Sequence, residues 1–547
     1  MLRILTSIIF FVALDVHAQT APAAAADIPR PKLVVGIVVD QMRWDYLYRY
    51  YSRYQTNGGF KRLLNNGFSC DNTLVPYIPT VTACGHTSIY TGSVPAITGI
   101  TGNDWWDYDL MEAVYCTDDA NEKTIGNKGT AGQMSPRNLL VTTIGDELRL
   151  ATNYHSKVIG IALKDRGAIL PAGHSANAAY WYDETTGDWI SSSYYMKDLP
   201  KWVKDVNAKK LVDKYYAGGW NTLHPVETYT QSTPDAEPYE YRPFGRDASG
   251  FPYDLKPFTG KNYNTLHVTP FGNSFTFDMA EAAVTGEQLG AGNVTDMLTL
   301  SLSAPDYIGH TFGPNSIEAE DDFLRLDKDL GGFLDFLDAT TGKDNYLLFL
   351  TADHGAAHVP AFLQQHKIPA GNLVDTGYQA VLNKTLKKKF GSDKMVLDVS
   401  ACQVWLDRKL IEQMGINKDS VNEIIIHYLL QQPGMYRAFA LDKLNDVTLN
   451  ETIKNKTANG YYPQRSGDIQ MIFNPQWIEN FERGGTTHGD WNPYDSHIPL
   501  IWYGWNIKQG HTGKEVYMTD IAPTVTNMLH IQMPSGSIGH VIEDVSK

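Results

Sequence analysis

Apolar positions along this chain fall into two patterns. The run Lys32 to Val39 is rich in Val, Leu and Ile, shows no polar alternation, and stops at Asp40. Such a run predicts a strand buried on both faces rather than a half-exposed one. Lys157 to Leu163, Asp296 to Ala304, Asn345 to Leu350 and Ile498 to Tyr503 repeat the pattern. Between them, Gly59 to Leu64, Pro136 to Thr152, Phe275 to Leu289, Ser316 to Leu337 and Asp520 to Leu529 carry helical spacing. Strands alternating with helices predict an α/β fold, a three-layer sandwich whose central sheet is mostly parallel. Two stretches fit that scheme poorly: 168–263, rich in Tyr, Trp, Gly and Pro, and 360–483. They are expected to be insertions forming a cap or smaller subdomain over one sheet edge. The Lys387-Lys388-Lys389 run reads as a solvated surface, and no internal repeat is found.

In open α/β sheets, ligands bind beyond the carboxyl ends of the strands. Asp40, Asp306 and Asp353 each follow an apolar run, so three carboxylates from distant parts of the chain are expected to converge on one edge. Imidazoles accompany them: His310 lies four residues after Asp306 at the same strand end, His354 follows Asp353, and His488 sits in Gly484-Gly-Thr-Thr-His488-Gly. A mixed set of Asp and His suits zinc better than magnesium or calcium, which favour all-oxygen shells. Two ions are implied.

Pro79 to Gly92 reads as a loop entering a short helix that stops at the glycine, with Thr82 at or near its N-cap. An N-terminal helix turn offers N–H groups to a phosphate, and a coordinated threonine hydroxyl becomes a competent nucleophile. Thr80 is the competing nucleophile by position. Lys164-Asp165-Arg166 follows a strand, and if the extended conformation continues, Lys164 and Arg166 share a side. Together they offer two cations to the oxygens of a phosphoryl dianion, to which Asn103 in Thr101-Gly-Asn103 adds an amide donor.

The chain of 547 residues is 43% hydrophobic and carries net charge −15, enough for a large core and adverse to a polyanion-binding surface, so no nucleic-acid partner is expected. An anionic substrate must then be attracted locally, by metals and a few cations. Met1 to Ala18 has the cationic start, apolar centre and small-residue end of a leader, with cleavage expected after Ala18 and a linker over 19–31. The apolar run is too short to span a bilayer and no cysteine follows it, so no stable membrane anchor is expected, and the product is periplasmic or secreted. Cys70, Cys84, Cys116 and Cys402 lack CxxC spacing and read as disulfides or buried thiols, with the pairing open. A monomer or weak oligomer is expected.

The succession Val39-Asp40, PTVTACGHTSIYTG, Gly102-Asn103, KDR at 164–166, DYIGH at 306–310, TADHG at 351–355 and GTTHG at 485–489 resembles the PafA-type alkaline phosphatases, relatives of the nucleotide pyrophosphatase/phosphodiesterases. The likeness runs from about Lys32 to the C-terminus. It implies an alkaline phosphatase-like catalytic domain over 32–547. It further implies one zinc on Asp306, His310 and His488, and a second on Asp40, Asp353, His354 and the Thr82 oxygen. Thr82, rather than Thr80, would attack phosphorus to give a phosphothreonine, with Asn103, Lys164 and Arg166 binding the transferred group. His86, His358 and His497 match no ligand position and are expected to be structural. Small phosphate monoesters are the implied substrates. The rivals are a phosphodiesterase or nucleotide pyrophosphatase of the same superfamily and a non-catalytic exported metal- or phosphate-binding protein. A sulfatase is excluded because Cys84-Gly-His-Thr-Ser lacks the Pro and Arg of that motif.

Overall fold

Leu33–Val39 forms a strand, β1, in which all seven residues are buried. Successive side chains of a strand point to opposite faces, so this pattern requires cover on both. The structure is a computed structural model that describes residues 28–245, 250–373, 377–479 and 484–546. The expected leader and most of the linker lie outside the described residues.

The other elements that position the site are α1 (Thr82–Thr91), β2 (Asp104–Asp107), β3 (Glu112–Tyr115), β4 (Val158–Ala162), α2 (Asp165–Ala172), β5 (Asp296–Leu302), α3 (Ala304–Phe312), β6 (Tyr346–Thr351) and β7 (Leu500–Gly504). Among the described residues the central sheet has eleven strands, and its middle runs β7–β6–β1–β5–β4. β6, β1, β5 and β4 are parallel, whereas β7 is antiparallel to β6. Val38 faces Thr351 on one side and Ser301 on the other, and Ser301 faces Ala162. The four parallel strands therefore end level, and the residues after them emerge along one edge. The fold is the mixed α/β sandwich that the patterning predicts.

Differences from the predicted elements have local causes. Pro499 has no N–H to give to a ladder, and the last apolar run is split into His497–Ile498 and β7. The helix expected from Pro136 starts at Ile144, behind a capping box made by Thr143 and Asp146. Residues 168–263, set apart by their composition, carry Ala178–Asp183 and Asp188–Ser192, which extend the central sheet beyond β4. Within 360–483, Val396–Ser400, Gln403–Leu406, Ile469–Phe473 and Met435–Ala440 build a separate antiparallel sheet. It packs on its own core, which includes Leu382, Leu386, Ile425 and Met471. The four cysteines are buried free thiols.

Candidate active site

At the level ends of the parallel strands, Asp40 follows β1 directly and Asp353 comes two residues after β6. Asp306 was expected at a strand end. It lies instead in the first turn of α3, with His310 one helical turn further on the same face and its Nε2 3.1 Å from Asp306 Oδ1. Gln41, which no sequence motif marks, ties these segments together. Its backbone is left-handed (φ 64°), a conformation uncommon for a non-glycine residue. This turn sends the Gln41 backbone N–H to Asp353 Oδ1 (3.1 Å) and its side-chain Nε2 to Asp306 Oδ1 (2.7 Å). Gly309 is required by the same contact, because a Cβ there would collide with Gln41 Oε1.

The three imidazoles are oriented alike. His310 Nδ1 lies 2.8 Å from the Thr486 carbonyl, His488 Nδ1 2.6 Å from that of Thr80, and His354 Nδ1 3.0 Å from that of Gly355. A carbonyl only accepts, so each Nδ1 carries the proton and each Nε2 presents a lone pair, the arrangement of metal-ligating histidines. His354 Nε2 is 3.6 Å from Asp40 Oδ1 and 3.4 Å from Asp353 Oδ2. All three atoms are buried, and none has a hydrogen-bond partner among the described residues. Three converging acceptors with no donor are costly unless a cation joins them. The donor set therefore fits divalent metal. Two candidate groups stand out, Asp306/His310/His488 and Asp40/Asp306/His354, with Asp306 in both.

Electrostatics carry the same mark. Burial, and then the charge of Asp353, pushes the Asp40 carboxyl well above its ordinary range. Burial also holds His354 neutral down to about 3. For Asp306, burial is outweighed by Lys164 and His310, and its carboxyl stays well below the usual range.

α1 begins at Thr82, with Val81 rather than Thr82 at the capping position, and all ten of its residues are buried. Its first turn lies directly on β6's extension: a Cβ on Gly85 would come within 2.5 Å of Asp353 Cβ. Thr82 Oγ1 is 3.4 Å from Lys164 Nζ, whereas the Thr80 hydroxyl donates to the Asp490 carbonyl at 3.1 Å. The Asn103 carboxamide oxygen accepts from Ala83 N at 3.0 Å, which leaves its amino group for another partner.

The cations are held differently from the expected extended pair. Lys164 caps α2 and Arg166 sits in its first turn, so the chain turns helical between them. Lys164 Nζ bridges Asp40 Oδ2 (2.7 Å) and Asp306 Oδ2 (2.6 Å) above the Tyr307 ring. Burial would lower its pKa, but Asp306 and Asp40 outweigh burial and raise it. Arg166 Nη1 donates to the Tyr115 hydroxyl at 3.0 Å. His86 does more than fill the core, with Nδ1 2.9 Å from the Thr82 carbonyl and 3.3 Å from Asp353 Oδ2, and Nε2 2.8 Å from Ser301 Oγ. His358 and His497 lie outside both candidate groups, on Asn315 and on the Asp71 carbonyl. Gln41 and Tyr115 stand in no motif, whereas His86 lies within PTVTACGHTSIYTG but matches no ligand position there.

Comparison with known proteins places this geometry in context. Residues 34–495 match the family model for type I phosphodiesterase / nucleotide pyrophosphatase. Alkaline phosphatase PhoV of Synechococcus elongatus is 54% identical over 523 residues, 95% of this chain and 94% of that one. Alkaline phosphatase PafA of Elizabethkingia meningoseptica is 49% identical over 520 residues, 95% of each chain. A crystal structure of wild-type PafA superposes with a TM-score of 0.93, covering 95% of this chain and 100% of that one at 49% identity. A Myroides odoratus protein named calcium-transporting ATPase is 50% identical over 528 residues, 96% of each chain. Among the described residues no helix is long and apolar enough to cross a membrane.

Proposed function

The chain belongs to the type I phosphodiesterase / nucleotide pyrophosphatase family, and from that premise we propose an exported alkaline phosphatase that hydrolyses phosphate monoesters at a two-zinc site through a phosphothreonine on Thr82. That the protein is a phosphate monoester hydrolase follows from relatives named alkaline phosphatase at about half identity over nearly the whole chain. The finer reading rests on one observation. Asp40 Oδ1, Asp353 Oδ2 and His354 Nε2 are buried without a donor between them, and a threonine hydroxyl lies 3.4 Å from the lysine that bridges Asp40 and Asp306.

One ion would be held by Asp306, His310 and His488, and the other by Asp40, Asp353, His354 and the Thr82 oxygen. Bound there, zinc supplies Lewis acidity that lowers the pKa of a coordinated hydroxyl and neutralises charge on the leaving oxygen. Thr82 Oγ then forms its bond to phosphorus as the ester P–O bond breaks, and the alcohol departs. Water cleaves the phosphothreonine in the second half, releasing inorganic phosphate and restoring the Thr82 hydroxyl. Lys164 and Arg166 bring two positive charges to the non-bridging oxygens of the transferred group, and the Asn103 amino group donates a further hydrogen bond.

The family name admits a diesterase, but a diester carries one charge and a second substituent, so two cations match a monoester dianion better. Chelator-stripped protein reloaded with zinc should turn over p-nitrophenyl phosphate faster than bis(p-nitrophenyl) phosphate. The reverse order would overturn the monoesterase reading, and activity undiminished by chelation would overturn the metal-dependent one. The transport in the Myroides odoratus name finds no membrane-crossing helix among the described residues here.

A further inference from the structure

Arg166 reaches the site at the start of α2, yet what holds its guanidinium comes from elsewhere in the chain. Nη1 donates to the Tyr115 hydroxyl at 3.0 Å, and that hydroxyl donates to Asp165 Oδ1 at 2.5 Å. Asp165 is itself fixed, because the same oxygen accepts the Arg166 backbone N–H at 2.6 Å. The direct Arg166–Asp165 contact is only 4.0 Å. Tyrosine therefore stands between the carboxylate and the guanidinium. A carboxylate gripping the arginine in bidentate fashion would orient it equally well but would cancel its charge. A neutral phenol orients it and leaves that charge for an anion. Burial, and then the Asp165 charge, raises the Tyr115 pKa well above the ordinary phenol range, so it remains a neutral donor.

Tyr115 ends β3, and the hairpin register pairs it with Asp104. Asn103, one residue before β2, accepts Cys116 N at its carbonyl (2.9 Å) and Ala83 N at its side chain (3.0 Å). The base of one hairpin thus touches both the nucleophile helix and Arg166. The hairpin's tip is pinned independently, with Tyr108 Oη donating to Asp468 Oδ2 at 2.8 Å and the Arg408 guanidinium 3.4 Å from its ring centre.

We propose that Tyr115 is a positioning residue that sets the preference for dianionic monoesters by holding Arg166 in place without neutralising it; this rests on the reading of Arg166 as a ligand of the transferred group. The test uses the zinc-loaded full chain as wild type, Tyr115→Phe, Arg166→Ala and the double variant. kcat/KM is measured on p-nitrophenyl phosphate and on bis(p-nitrophenyl) phosphate, with inhibition by inorganic phosphate alongside. Tyr115→Phe should lower monoester kcat/KM about tenfold, the scale of one hydrogen bond to a charged group. It should weaken phosphate inhibition, change diester kcat/KM by less than about twofold, and add no loss once Arg166 is absent. Asp165→Asn should shift the ratio in the same direction by less and provides a check if the first variant folds poorly. No change in the ratio, equal losses on both substrates, or losses that multiply in the double variant would overturn the role of Tyr115 alone. Equal losses for Arg166→Ala itself would overturn the reading of Arg166 and this inference with it.

Discussion

On the carboxylate side of the site, Asp40, Asp353 and His354 come straight off level strand ends, and three of their atoms make no hydrogen bond, with His86 Nδ1 no nearer than 3.3 Å to Asp353 Oδ2. On the cation side, protein groups hold both cations in place, Lys164 through two carboxylates and Arg166 through a tyrosine on a distant hairpin, while Arg166 Nε makes no hydrogen bond among the described residues. One side presents buried acceptors that make no hydrogen bond, the other cations whose positions are set by protein groups. Groups suited to a metal are pre-oriented but left without a donor, whereas Arg166 is held by a neutral hydroxyl that leaves its charge in place.

The largest test of this contrast removes a ligand on the carboxylate side. His354→Ala takes away a lone pair that no neighbour can replace, and should cost about a thousandfold or more in monoester kcat/KM together with about half the bound zinc, read by metal analysis of the purified variant. Full metal content with little loss would break the contrast. On the cation side, Lys164→Ala should lower monoester turnover about a hundredfold and diester turnover much less, with metal content retained; loss of metal instead would make Lys164 part of the carboxylate side. Gln41→Leu removes the side-chain bond to Asp306 while keeping the backbone bond to Asp353. Partners of ligating groups are worth about 10- to 100-fold in affinity, so zinc competition with a chelator should show weakening at the low end of that range.

A smaller effect concerns acid stability. His267 is buried beside Lys164 and Arg166, and burial followed by those two charges holds it neutral down to about 3. Unfolded, the imidazole titrates near its ordinary value of about 6.5, so between these values the unfolded state binds the extra proton. Its contribution is fully present above about pH 6.5 and is lost as pH falls toward 3. Replacing it by His267→Phe should reduce the loss of stability between pH 7 and pH 5 by on the order of 2 kcal/mol, measured by urea unfolding of metal-free protein. An unchanged pH dependence would mean that the imidazole is protonated in place.

The same division governs what the sequence reveals. Strand positions are legible because burial on both faces demands uninterrupted apolar runs, and five of the six metal-ligand candidates follow because each sits next to such a run or within one helical turn of another ligand type; His488 does neither and is marked only by its Gly-Thr-Thr-His-Gly motif. That Asp306 belongs to a helix is invisible to a pattern that registers only where the apolar run stops. Lys164 and Arg166 are adjacent to a strand, so their presence is legible, but their placement is not, because helix begins at Asp165. Tyr115 and Gln41 carry no local signal: one acts across 51 residues on Arg166 and the other across 265 on Asp306. Contacts of that span depend on the packed sheet and appear only once it is folded.

The central claim is that Thr82 is the nucleophile of a metal-bound site. Zinc-loaded Thr82→Ala, compared with wild type for metal content and for label trapped on protein by acid quench after mixing with a phosphorus-labelled monoester, tests it most directly. Metal content matching wild type, label on Thr82 in wild type, no label in the variant and a loss of turnover of at least about a thousandfold are expected. Trapped label in the variant, or label on another residue in wild type, would contradict it.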